Sequence, residues 1–163
     1  MSRVSEGLAF DSENPNKRVV ALSTGTTRLD PSTHANKLLT IAGGATPTTI
    51  NMPKAVGSGD IYEFLLLAAQ TSGSIIINAT HWDVSNVFVG RVHSVDTSNA
   101  VVNVYASTAN DIITLDGDNK GGVTAGDYIK MMDVGVVSGK GTWRIIEAFV
   151  TNAGDTPATP FSG

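Results

Sequence analysis

Residues 127–150 read DYIKMMDVGVVSGKGTWRIIEAFV. Two runs rich in Val, Ile, Met and aromatic residues, 127–137 and 142–150, flank Ser-Gly-Lys-Gly at 138–141. That pattern is two strands joined by a tight turn. A phosphate loop is the competing reading of GVVSGKG at 135–141. Lys140 is followed by Gly141, however, and then by a strand, not by a helix whose N-terminus would hold phosphate. The stretch therefore predicts a β-hairpin. Working outward, the same texture recurs. Short apolar runs lie at 19–22, 38–41, 48–52, 60–69, 74–78, 86–95, 100–106 and 112–115, separated by Gly, Pro, Ser and Asn. Gly90 interrupts the alternation of 86–95 and marks a bulge or a close backbone approach. The run at 74–78 reads as the hairpin partner of 60–69 across Ser72-Gly73.

Composition agrees. Val, Ile and Thr number 17, 11 and 18 among 163 residues. Such side chains are stiff at χ1 and pack well on a pleated surface. The expectation is an all-β protein, an antiparallel sandwich or barrel of about ten short strands. Residues 18–151 form the β domain, with 79–110 as a candidate surface lobe. Residues 1–17 form an extended N-terminal arm, in which Leu8 and Phe10 are sizeable apolar anchors, and 152–163 form a polar C-terminal tail.

Several functions drop out. Net charge is −4, without a basic footprint for nucleic acid. Cysteine is absent, which removes thiolate zinc sites, Fe–S clusters and a Cys nucleophile. MSRVSEGLAF at 1–10 lacks the apolar core of a signal peptide, and Ile61–Ala69 is far short of a membrane span and contains Glu63. The expectation is synthesis in the cytoplasm, with no membrane partner.

No catalytic constellation is visible. His34, His81 and His93 have no metal spacing, and no G-x-S-x-G elbow occurs. Residues 116–127 (DGDNKGGVTAGD) put acids at positions 1, 3 and 12 of a calcium-type loop, with Gly at position 6. Lys120 places a cation where an oxygen ligand belongs, and Asp127 is shorter than the usual Glu. A polar β-turn is the better reading. No cofactor and no metal are expected. His81, Trp82, Tyr105 and Trp143, with Asp83, are the candidate ligand or interface residues, because Trp offers a stacking face. Charged residues make up only 16% of the chain, so its surface is Ser, Thr, Asn and Gly, or is covered by a partner.

Taken together, VVALSTGTTRLDPSTHANKLLTI (19–41), TINMPKAVGSGDIYEFLLLA (49–68), SIIINA (74–79) and NDIITLDGDNKGGVTAGDYIKMMDVGVVSGKGTWRII (110–146) resemble a tailed-bacteriophage virion structural protein. In that pattern Pro53 and Gly59 bound an edge and Trp143 closes the last strand. The likeness is greatest to head decoration, or capsid cement, proteins. It implies a non-enzymatic β protein on the outer surface of the head, a homotrimer whose partner is the major capsid protein. It also implies that the arm grips the shell, through Arg3, Leu8, Phe10, Lys17 and Arg18. The alternative is a carbohydrate- or receptor-binding module of a tail or fibre.

Overall fold

The computed structural model describes residues 18–153 and 156–163. Strand accounts for 53% of the described residues and helix for 3%. The first six strands are β1 (Val19–Leu22), β2 (Gly25–Arg28), β3 (Lys37–Ile41), β4 (Thr48–Asn51), β5 (Ile61–Leu66) and β6 (Ile75–Asn78). One helical turn, α1 (Pro31–His34), follows β2; Asp30 caps it and Pro31 opens it. The remaining strands are β7 (Val87–Asp96), β8 (Val102–Asn110), β9 (Ile112–Leu115), β10 (Tyr128–Val137), β11 (Lys140–Asn152) and β12 (Phe161–Ser162).

They form a seven-stranded sheet, β1-β3-β5-β10-β11-β7-β8, and a five-stranded sheet, β12-β9-β6-β4-β2. The all-β expectation holds, but the sheets are mixed and not antiparallel. β1, β3 and β5 run parallel in the large sheet, and β2, β4 and β6 run parallel in the small one. The reason is the path of the chain. Each of the first six strands crosses to the opposite sheet, so every second strand stacks beside its predecessor in the same direction. The hairpin expected between 60–69 and 74–78 is therefore absent. β5 and β6 lie in different sheets, and β6 pairs with β4 and β9.

The second half closes the sandwich. β9 and β10 join β6 and β5 antiparallel. The β10–β11 hairpin predicted from 127–150 is present, and β11 also runs parallel to β7. Two further expectations are corrected. Residues 79–110 are not a separate lobe, because β7 and β8 complete the large sheet. The end of the expected tail is built into the small sheet, where Phe161 is buried and β12 pairs with β9.

The core lies between the sheets. β5 and β10 bury every second side chain, as a half-buried strand requires. Phe64, Ile129 and Met131 face Ile50, Ile77 and Ile113 across one continuous apolar cluster. Asp133 ties the 56–58 loop to β10. Its carboxylate accepts from the N–H groups of Val56 (2.9 Å), Gly57 (2.8 Å), Ser58 (3.2 Å) and Gly135 (2.9 Å), and from Ser58 Oγ (3.0 Å). Burial pushes this carboxyl up, but the backbone donors outweigh it and hold it below the usual range.

Candidate functional site

The outer face of the large sheet carries apolar and polar rows side by side. One cross-strand row runs over all seven strands: Ala21, Thr40, Leu65, Tyr128, Phe149, His93 and Val104, each opposite the next. Phe149 and Val104 are about half exposed, as is Val102 beside them. His93 and Phe149 stack with ring centroids 5.3 Å apart. A polar row runs alongside, where Lys130 pairs with Glu63 at 3.2 Å and Tyr128 Oη donates to Glu63 Oε2 at 2.9 Å. Burial and that bond both raise the Tyr128 phenol well above its ordinary range. Covered parallel sheets carry near-continuous apolar runs rather than alternating ones. VVAL in β1 and KLLTI in β3 are of that kind, and on their outer face Val19 is 45% exposed while Thr40 is buried.

A groove of about 560 Å³ opens on this face beside the row. Its walls include Arg91, His93, Arg144, Glu147 and Phe149. It exists because the strands slip past one another at one level. Against β10, Lys130 faces Glu147 and Met131 faces Ile145, so Ile146 is the extra residue of a bulge in β11. Pairing of β11 with β7 breaks between Arg144 and Phe149, and pairing of β7 with β8 shifts between Phe88 and Gly90. Gly90, at φ +147°, sits where these irregularities meet. A Cβ there would stand 2.7 Å from Ile145 Cβ and 2.8 Å from Ile145 O. The sequence-based reading of Gly90 as a bulge or close approach is thus realised.

The predicted site residues do not form one site. Arg3, Leu8, Phe10 and Lys17 lie outside the described residues. Arg18 is exposed, and its carbonyl accepts from Leu38 N–H at the start of β1. Trp143 is corrected outright: it is 1% exposed and meets Tyr62 edge to face at 5.4 Å, so it is a core residue. Tyr105 is half-buried against the core from the inner face of β8. The loop at 116–127 is a polar turn, as expected. Asp116 Oδ1 accepts from the N–H groups of Asp118 and Lys120. Asp127 turns inward to Gly122 N–H, Thr151 N–H and Thr151 Oγ1.

His81 and Trp82 do stay together, at a corner that sequence spacing did not reveal. β2, β4 and β6 are parallel, so their C-terminal ends lie at one end of the small sheet, with Arg28, Asn51 and Asn78 in register. The chain leaving each strand therefore delivers Arg28, Lys54 and the 81–83 loop to the same place. The Arg28 guanidinium lies 5.7 Å over the Trp82 ring, and His81 meets that ring edge-on at 4.9 Å. Trp82 is 54% exposed. Asp83 pairs with Lys54 at 3.1 Å and accepts from Ser85 N–H and Oγ. These contacts, led by the Ser85 hydroxyl, lower its carboxyl to about 2. Asn78 Oδ1 fixes Thr80 in the same way.

Sequence reasoning missed the groove, because Arg91 and Arg144 look like scattered single cations. Gly90 was the available signal. Compared with family models, curated proteins and solved structures, the chain matches none.

Proposed function

We propose that this chain is a non-enzymatic capsid decoration protein. In this reading it associates with copies of itself through the outer face of the large sheet and binds the outside of a tailed-phage head through residues 1–18. One observation carries the association: the half-exposed apolar side chains Phe149 on β11 and Val102 and Val104 on β8, gathered on that face on either side of His93. Exposed apolar side chains clustered in this way are characteristic of a surface that a partner covers. The sequence resemblance supplies the partner, the major capsid protein, and the trimeric state. Each copy then bridges neighbouring shell subunits. The binding energy is lost if the shell opens, so the particle resists internal pressure.

The reading has a direct test. Light scattering after size exclusion should give a mass that is a multiple of 16.9 kDa. Phe149→Lys with Val104→Lys should give a monomer with unchanged unfolding, since both side chains face outward. Deleting residues 1–17 should abolish binding to undecorated shells and leave the fold intact. A monomeric wild type that does not bind shells would sink the proposal, and unchanged shell binding after the deletion would remove the arm from it.

A further inference from the structure

We infer that the Arg28–Trp82 corner binds a pyranose that carries a carboxylate, as in an acidic polysaccharide. Three observations carry this, and none of them involves the apolar face of the large sheet.

The first is the indole itself. Trp82 is 54% exposed, whereas Trp143 is 1% exposed, and its indole offers a flat apolar surface of about the size of a sugar ring. The second is the charge balance. Lys54 is tied to Asp83, so each compensates the other. Arg28 has no carboxylate within salt-bridge distance among the described residues, and its guanidinium carbon lies 5.7 Å over the Trp82 ring. A guanidinium fork suits a carboxylate, which it can hold through two parallel hydrogen bonds. The third is preorganisation. The Asn78–Thr80 and Asp83–Ser85 turns, the Lys54–Asp83 pair and the bond from Asn86 Nδ2 to Ala79 O hold the 78–86 loop in place before any ligand arrives. Binding then loses little loop entropy.

An indole face beside a guanidinium selects a ring and an anion together. A neutral sugar would satisfy the ring and leave the guanidinium without its partner. A small carboxylate would do the reverse. The ligand that uses both groups is a uronate-type saccharide.

Nitrogen-15 NMR tests this on the full chain. The protein has two tryptophans, so two indole N–H signals are expected, and the buried Trp143 signal is an internal control. Tetragalacturonate should shift the Trp82 signal saturably and leave Trp143 in place. Trp82→Ala should abolish binding. Arg28→Gln should weaken it about tenfold or more, the scale of a charge-assisted hydrogen bond, and added salt should weaken it in the wild type. Both side chains are at the surface, so the urea midpoint of each variant should match wild type. No saturable shift up to about 10 mM ligand, the limit of weak specific binding, overturns the inference. So does equal binding of maltotetraose, or an equal shift with acetate at matched carboxylate concentration. The self-association variants leave this corner untouched, so failure here and failure of the decoration reading are separate results.

Discussion

Gly90→Ala is the sharpest test of how the outer face is built. Gly90 has φ +147°, a region that L side chains rarely adopt. The added Cβ would lie 2.7 Å from Ile145 Cβ and 2.8 Å from Ile145 O, where ordinary contacts lie near 3.5–4.0 Å. Relief requires β7 and β11 to separate by roughly 1 Å at the bulge. The backbone penalty is about 1–3 kcal/mol, and overpacking adds about 1–3 kcal/mol. The sum, roughly 2–6 kcal/mol, is a large share of the total stability of a domain. The melting temperature should fall by about 4–24 °C. Gly139→Ala is the control. Its φ is +81° and nothing stands within 4 Å of the added Cβ, so it carries the backbone penalty alone. Urea unfolding followed by tryptophan fluorescence measures both. If Gly90→Ala costs no more than Gly139→Ala, β7 and β11 do not approach as described, and the account of the groove fails.

Three further substitutions follow from buried polar groups. Tyr62 Oη is buried with no hydrogen-bond partner among the described residues, and burial raises its phenol far above the ordinary range. Tyr62→Phe should therefore leave stability unchanged or raise it by about 1 kcal/mol; a loss of that size in thermal unfolding would show that the hydroxyl has a partner. Asp133→Asn puts an amide donor against backbone donors and should cost about 2–4 kcal/mol at neutral pH. The wild-type carboxyl is lowered in the folded state, so its contribution is present above the unfolded value near 3.9 and is lost as pH falls through the folded value. The Asn variant should have a flatter acid limb, and an unchanged limb would contradict this. Asp127 has the opposite sign. Burial raises its carboxyl despite three bonds, so its stability contribution falls as pH rises from about 4 through the folded value. Asparagine can accept from Gly122 and Thr151 N–H and donate to Thr151 Oγ1, so Asp127→Asn should be neutral or stabilising at pH 7; a loss above about 1 kcal/mol would refute the assignment.

The strands themselves were legible. Turn residues bound the runs at 19–22 and 112–115 so closely that β1 and β9 match them residue for residue. Sheet membership was not legible. A strand that crosses to the other sheet has the same local pattern as one that turns back in a hairpin, so IIIN at 75–78 gave no sign of its parallel neighbour. β2 is not legible as a strand, because Gly25-Thr-Thr-Arg28 has no large apolar side chain. Trp143 shows the same limit: a stacking face suggests a ligand or interface residue, whereas strand alternation turns its ring inward onto Tyr62. The Arg28–Trp82 corner brings together residues 54 positions apart in the chain, and only the parallel stacking of β2, β4 and β6 makes them neighbours.

The decoration reading is tested most directly by sedimenting particles from the native source through a sucrose gradient and counting this protein by quantitative mass spectrometry. The account predicts that it travels with capsid-sized particles at a copy number comparable to that of the shell protein. A few copies per particle would move it to a tail or fibre, and protein left at the top of the gradient would contradict the account altogether.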